Sequence, residues 1–436
     1  MKVEDFKQGE VYDLSGLSLY RQPSYEGYRP KGIVFVCGIE GRTVRGLERI
    51  APKRYAAVTF SLSTGDGVAK KVKNLAFAKA AEKYVIAHGV GDLGRPTTWT
   101  IGCDPEVFVL DGEGRVIPAW EFLPEKSKAN RLERGELLHW DGWQAEFTTV
   151  AGGCLSYLSD GVHRGYKGVL AKAQAKFPSA KLTYEDVVAV DPRTLETAAR
   201  EHVIMGCAPS VNAYEPFTPP VENCRLIPFR SAGFHHHVSC FKGEDKNIVL
   251  AVKMADRLHG MVMEVALRGL MNPKRRQLYG RMGEYRKTGY GFEYRPPSSA
   301  IGVHPVVFNL SFDLFRQALK IVYRFGPKAL DFWKGSDEEV QEIGNYNDAR
   351  GALRMIKSNE DLIVKVLDET YGKISYWGHK SKEGVGLIAW KKLILGGVKE
   401  TLSLNMEENW LLSDRGSSWL AHGEAKDCQV WKWAEA

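Results

Sequence analysis

The chain has 436 residues, of which 44% are hydrophobic and 26% charged, and a formal net charge of +7. This composition allows a sizeable core and two or three domains. No run approaches the ~20 apolar residues of a membrane-spanning helix, and the segment MKVEDFKQGE lacks the apolar core of a secretory signal. We therefore expect a cytoplasmic protein with no membrane association. The seven scattered cysteines form no C-x-x-C pair, which argues against a disulfide framework and a structural zinc site.

Residues 1–95 are predicted to form a small α/β lobe. The segments GIVFVCGI and YAAVTFSLS have the apolar runs and alternation of strands. Thr43 to Ile50 and residues 69–89 are predicted to be helical, the second because its helical spacing ends at a glycine. A glycine-rich joint then marks the end of the lobe.

Residues 96–310 change to strands separated by turns. IGCDPEVFVL and RVIPAW, joined by the turn DGEG, predict a hairpin. Helical spacing returns over residues 311–436, as in FDLFRQALKIVYRFG. The predicted class is α+β, with a mainly antiparallel sheet in the middle and a helical C-terminal region.

Polar residues occupy same-face positions, two apart, on four predicted strands. The pairs are Asp104 with Glu106, Gln144 with Glu146, His235 with His237, and Glu293 with Arg295. A half-buried strand would ordinarily carry apolar residues there, and a buried carboxylate is costly unless it is paired or binds metal. We assign Asp141 to the face opposite Glu146 unless Gly142 allows a bulge. His236 points away from its neighbours and is predicted to be a core or surface histidine.

Carboxylates with an imidazole suit Mg²⁺ or Mn²⁺, and a nearby arginine suits phosphate, so the combination favours a nucleoside triphosphate. Each pair also has a structural interpretation. Asp104 and Glu106 flank Pro105, which is typical of a strand edge or start, and Glu293 with Arg295 could form a cross-strand ion pair. Only the set as a whole favours a site.

Five motifs in order carry a family resemblance: IGCDPEVFVL, HWDGWQAEFTT, MGCAPSVNAY, RSAGFHHHV and RRQLYGRMGEYRKTGYGFEYRPPSS. The set resembles the phage-type COOH-NH2 ligases (amidoligases) of the glutamine synthetase and glutamate-cysteine ligase superfamily. The resemblance implies a glutamine synthetase-like curved antiparallel sheet with flanking helices. It also implies an ATP-dependent ligase that joins a carboxylate to an amine through an acyl phosphate.

The resemblance also implies roles for individual residues. Its metal positions fall on Glu106, Glu146, His235, His237 and Glu293. Arg295 and Arg286 correspond to phosphate contacts, with Arg281 and His235 also assigned to nucleotide binding. Asp104 and Asp141 are the candidate acceptors of the amine proton. The sequence departs from the family pattern at Phe234, at His236 and after Arg295, where Pro296-Pro297 follows; these departures put the substrate in doubt more than the chemistry.

The expected cofactors and partners are ATP, Mg²⁺ or Mn²⁺, a carboxylate donor such as an amino acid, and an amine acceptor. A small molecule, a peptide or a modified DNA base would each fit as the acceptor. Two other functions stay open. Two histidines and a carboxylate could hold iron in an oxygenase, or the chain could be a catalytically inactive binding or virion protein that retains a ligase fold.

Overall fold

The computed structural model describes part of the chain, in two compact units, Met1–Thr98 and Trp99–Ala436. The described residues are 11–13, 17–20, 33–40, 43–51, 54–67, 70–71, 100–132, 135–151, 155–203, 210–215, 227–241, 243–371, 387 and 389–411. The three-domain division stays a prediction.

The first unit contains a six-stranded antiparallel sheet with the order β2-β5-β4-β3-β1-β6. Its strands are β1 (Val11–Asp13), β2 (Leu17–Tyr20), β3 (Ile33–Glu40), β4 (Thr43–Ala51), β5 (Arg54–Gly67) and β6 (Lys70–Lys71). The helix predicted from Thr43 to Ile50 is wrong: this segment is β4, and its pairing with β3 and β5 on both sides holds it extended. The other predicted helix, residues 69–89, is wrong at Lys70 and Lys71, which pair with β1 as strand β6; the rest of it lies outside the described residues.

The second unit is built on a ten-stranded sheet. Its strands, with the separate pair β13 and β15, are β7 (Ile101–Leu110), β8 (Val116–Ile117), β9 (Asn130–Arg131), β10 (Leu137–Asp141), β11 (Gln144–Thr148), β12 (Lys181–Thr183), β13 (Val187–Ala189), β14 (Val211–Asn212), β15 (Phe229–Ser231), β16 (Phe234–Val238), β17 (Glu284–Thr288) and β18 (Gly291–Tyr294). The main path runs β14-β17-β18-β16-β7-β11-β10-β9, and β8 and β12 also pair with β7. The predicted β7–β8 hairpin is confirmed.

Among the α-helices of this unit is the one predicted in FDLFRQALKIVYRFG. The helices are α1 (Leu155–Lys176), α2 (Pro192–Thr197), α3 (Arg200–Val203), α4 (Asp245–Ala255), α5 (Met261–Ala266), α6 (Arg275–Leu278), α7 (Pro305–Phe325), α8 (Asp337–Asn345), α9 (Ala349–Ser358), α10 (Glu360–Tyr371), α11 (Val398–Thr401) and α12 (Met406–Trp410). A π-helical segment, Asp256–Gly260, joins α4 to α5. The α+β class with a large antiparallel sheet is confirmed, while the glutamine synthetase-like curvature stays a prediction.

The sheet has an apolar face covered by helices and a polar face. On the apolar face, Phe234 lies 5.6 Å from Phe308 of α7 between ring centroids. His236 is fully buried on the same face and stacks on Phe315 at 4.8 Å, so of the two predicted positions, core or surface, it takes the core. The opposite face therefore carries His235 and His237 of β16. Among the described residues, none of the helices is both long and apolar enough to cross a membrane.

Helix α1 approaches the sheet closely at Gly165, where an added Cβ would overlap the ring of Phe147. Gly165→Ala should therefore lower the free energy of unfolding by about 1–3 kcal/mol despite alanine's better helix propensity. Urea unfolding checks this. Gly289→Ala is the control, because nothing lies within 4 Å of the Cβ it would add; equal effects of the two substitutions would contradict the close packing of α1.

Candidate functional site

Strand register brings the predicted polar residues onto one face of the sheet. Directly opposite residues in antiparallel strands share a face. Glu106 of β7 pairs with Glu146 of β11, and Asp104 pairs with His235 of β16. His237 in turn pairs with Glu293 of β18. Arg286 of β17 is also opposite Glu293, so five neighbouring strands contribute to one polar surface.

Three acidic residues form a carboxylate cluster at one end of this surface. Glu106, Asp141 and Glu146 each offer an oxygen within 4.8 Å of the others'. Glu106 and Glu146 are 2% and 3% exposed, and Asp141 is half-buried. Oxygen ligands at this spacing suit a hard divalent cation.

The assignment of Asp141 to the opposite face is wrong. Strands β10 and β11 form a hairpin in which Asp141 pairs with Gln144 across a two-residue turn. Gly142, with φ of +64°, takes the first central position, where a type II′ turn requires a positive φ. The reversal of the chain at this turn, not a bulge, returns Asp141 to the face of Glu146.

Burial and mutual repulsion dominate the electrostatics of the cluster. Burial first, and then the charge of Asp141, raise the pKa of Glu106 to about 7. Burial, with Asp141 and Asp104 nearby, also raises the pKa of Glu146 well above its usual value. A divalent cation bound among these carboxylates would favour their ionised form.

Glu106 is fixed by two donors outside the acidic set. Its Oε2 accepts hydrogen bonds from the backbone N–H of Gly233 at 2.5 Å and from the hydroxyl of Tyr279 at 2.5 Å. The Tyr279 ring lies 4.8 Å from the Arg275 guanidinium and 5.6 Å from that of Arg295. The carboxylate is thus held in place by a backbone N–H and a buried hydroxyl.

A second group surrounds Glu293, which is 1% exposed. Its carboxylate contacts Arg286, and it lies 3.4 Å from Nε of Arg295 and 3.3 Å from Nδ1 of His235. Arg295 also donates to the hydroxyl of Ser210 at 2.8 Å. The site therefore combines the carboxylate cluster with a neighbouring pair of arginines.

The two predicted histidine ligands have different surroundings. His237 uses both ring nitrogens: Nε2 lies 3.0 Å from Asp104, and Nδ1 lies 2.5 Å from the Tyr290 hydroxyl. Burial works against the charge of His237, but the Asp104 carboxylate outweighs it, so its pKa is raised. For Asp104, burial is likewise outweighed by His237, and its pKa is lowered.

His235 is neutral by comparison. Burial, followed by the charges of Arg295 and Arg275, lowers its pKa well below the usual value. Its Nε2 is buried and makes no hydrogen bond among the described residues. A neutral imidazole with a bare nitrogen is the form that binds a metal ion.

Arg281 lies apart from these contacts: its Nε donates to the backbone carbonyl of Arg276 at 3.0 Å. Its assignment to nucleotide binding stays a prediction.

Four residues of the surface were not predicted: Lys126, His139, Tyr279 and Tyr290. Only His139 had a usable signal, because in H-W-D it lies two residues before Asp141 on the same strand. Lys126 reaches Glu146 from a short 3-10 turn, Lys126–Lys128, and no strand periodicity marks such a residue.

Comparison with known families bears on part of this surface. Residues 231–362 match the family described as Phage phiEco32-like COOH.NH2 ligase-type 2. This match confirms the predicted resemblance to COOH-NH2 ligases over that range. The range contains both histidines, Glu293 and the three predicted arginines, whereas the carboxylate cluster precedes it. No curated protein matches the chain at a significant level.

The ammonium of Lys126 lies 3.2 Å from Oε1 of Glu146, so it competes with a divalent cation for that oxygen. The lysine side chain is 66% exposed, and a half-exposed ion pair of this kind contributes about 0.5–1 kcal/mol. Lys126→Met should therefore tighten Mn²⁺ binding about 2- to 5-fold in calorimetric titration. Lys128→Met is the matched control, because Lys128 pairs with Glu125 on the same turn. Unchanged or weaker binding in Lys126→Met would show that the lysine does not compete.

Proposed function

We propose that the chain is an ATP-dependent carboxylate-amine ligase that forms an amide through an acyl phosphate and releases ADP. One observation carries the proposal: the carboxylate cluster and Glu293, with its two arginines, lie on the same face of the sheet. The family match over residues 231–362 supports the same reaction class. The carboxylate donor and amine acceptor are an amino acid and a small molecule, peptide or modified base.

The carboxylate cluster fits Mg²⁺ or Mn²⁺, because its donors are oxygens and their charges repel each other when no cation is present. Glu106, Asp141 and Glu146 would hold one ion, and Glu293 with a histidine would hold another. Bound there, the metal would neutralise charge on the β- and γ-phosphates of ATP. The buried Tyr279 and Gly233 donors would keep Glu106 in position.

Arg286 and Arg295 would bind the transferred phosphoryl group. Both guanidinium groups contact Glu293, so they are already oriented towards the polar surface. The Arg286 side chain is 30% exposed and can reach an incoming anion, whereas Arg295 is buried and fixed by Ser210. Planar guanidinium groups suit the oxygens of phosphate and acyl phosphate.

Asp104 would accept the proton of the attacking amine, as would the oxygen of Asp141 that does not bind the metal. Asp104 is ionised through its contact with His237, and Asp141 lies at the half-exposed edge of the carboxylate cluster. An amine that approaches from this edge would reach the carboxylate of Asp141 before it reached Glu106 and Glu146, which are buried. Arg281 is proposed as a further nucleotide contact.

We assign the metal-binding role to His235 rather than His237. Neither Nε2 atom makes a hydrogen bond among the described residues, but Nε2 of His237 lies 3.0 Å from Asp104 and its Nδ1 lies 2.5 Å from the Tyr290 hydroxyl, whereas the ion-pair contacts of His235 are made by Nδ1. His235→Asn should weaken Mn²⁺ binding by about 10-fold or more. His237→Asn should change Mn²⁺ affinity less, since it removes a contact to Asp104 and Tyr290. Calorimetric titration of both variants checks the order; the reverse order would assign the metal to His237.

The ligase reaction is tested by incubating the protein with ATP, Mg²⁺ and amino-acid pools, with and without peptide or DNA. Mass spectrometry would identify the new amide, and a coupled assay would measure ADP. Glu146→Gln and Glu293→Gln should each lower ADP formation on the order of 100-fold, because each removes charge from the polar surface while keeping side-chain size.

Circular dichroism would show that these variants remain folded. Full ADP formation in both would contradict the site. No stabilisation of the protein by ATP and Mg²⁺ in a thermal shift would favour an inactive binding protein. Turnover that needs Fe²⁺ and O₂ instead of ATP would favour the oxygenase.

A further inference from the structure

His139 lies beside the carboxylate cluster and is not assigned a role in the function proposed above. It pairs with Glu146 across the β10–β11 hairpin, so its side chain lies on the face of the cluster. The imidazole is 1% exposed, and Nε2 lies 3.4 Å from Oε1 of Glu146. Nε2 makes no hydrogen bond among the described residues.

The hydrogen bonding of the ring shows which nitrogen is bare. Nδ1 of His139 lies 3.2 Å from the backbone oxygen of Trp140. A carbonyl only accepts, so Nδ1 must carry the hydrogen. In a neutral ring the lone pair then lies on Nε2, which is beside the Glu146 carboxylate.

A cation between Nε2 of His139 and Oε1 of Glu146 could be bound by both atoms. A separation of 3.4 Å is close to that of adjacent ligands, each about 2.1–2.3 Å from one metal ion. Lys126 places its ammonium 3.2 Å from the same oxygen of Glu146, so a positive charge already occupies this region. The Nδ1 contact to a backbone carbonyl is also the support that metal-binding histidines commonly have.

We propose that His139 is a metal ligand at the edge of the carboxylate cluster, and that its Nε2 and Oε1 of Glu146 bind the same divalent cation. The proposal rests on the metal-binding part of the proposed function and not on the ligase reaction. A site with one imidazole favours Mn²⁺ over Mg²⁺, because Mg²⁺ prefers oxygen ligands throughout. The site would thus select its metal through a residue on β10.

The test uses Mn²⁺ as the probe and the variant His139→Asn. An asparagine amide can replace Nδ1 as the donor to Trp140 but has no atom at the position of Nε2. Free Mn²⁺, measured by electron paramagnetic resonance during titration, should show affinity reduced about 10-fold or more. The preference for Mn²⁺ over Mg²⁺ should become smaller in the same variant.

Spectroscopy of the bound ion provides a second measurement. In a His235→Gln background, which removes the other proposed imidazole ligand, Mn²⁺ should show coupling to a nitrogen nucleus in electron spin-echo modulation. The coupling should disappear when His139→Asn is added. His202→Gln is the control, because it removes an imidazole that stacks on Trp120 instead of lying beside the carboxylate cluster. The two ring centroids are 4.3 Å apart.

Two results would overturn the proposal. One is an Mn²⁺ affinity of His139→Asn that is within 2-fold of that of the unsubstituted protein; the other is a nitrogen coupling that survives in the double variant. Either result would mean that His139 only shares a proton with Glu146. Because neither measurement uses ATP or an amine, the absence of ligase activity would leave this inference intact.

Discussion

Repulsion among buried carboxylates is the constraint on which the polar surface depends. Glu106, Asp141 and Glu146 come within 4.8 Å of each other, and like charges at this distance cannot all ionise without a compensating cation. Burial first, and the charge of Asp141 second, raise the pKa values of Glu106 and Glu146. Lys126 relieves part of the repulsion from an exposed turn, and a divalent ion would relieve more because its charge is larger and closer.

The rest of the second unit keeps this unfavourable surface in place. Residues of the same strands that point the other way are buried against helices, as Phe234 is against Phe308. At the end of β16, Arg275 donates to the backbone carbonyls of Ala232, Pro296 and Pro297. These bonds fix the segment that carries Gly233, whose N–H holds Glu106. Apolar packing and buried backbone hydrogen bonds thus compensate for the strain that the acidic residues introduce.

The sequence predicted the strands of the site better than the connections between them. Same-face pairs such as His235 with His237 follow from a period of two residues, which the chain alone specifies. Asp141 was misplaced because its face depends on the turn at Gly142, and β4 was taken for a helix because its pairing with two strands is a tertiary effect.

Pro105 lies inside the central strand β7, although a proline is typical of a strand edge. Pro105 has no N–H, but this removes no hydrogen bond between β7 and β16. The next residue, Glu106, donates its N–H to the carbonyl of Gly233, and the N–H of Phe234, the residue opposite Pro105, donates to Pro297. This arrangement depends on contacts between distant segments, so the local sequence could not predict it.

The arrangement of charge along the polar surface separates two kinds of binding. Around Glu106 and Glu146 the residues are mostly acidic and attract cations, whereas around Glu293 two guanidinium groups surround one carboxylate and leave an excess of positive charge. A triphosphate carrying divalent cations presents the complementary order, with metal towards the acidic end and phosphate oxygens towards the arginines. His235, which is neutral and lies between Glu106 and Glu293 at 3.9 and 3.3 Å, adds no charge to either end. A metal ion without an anion would satisfy only half of this surface, and so would an anion without a metal, so the charge pattern favours their joint binding.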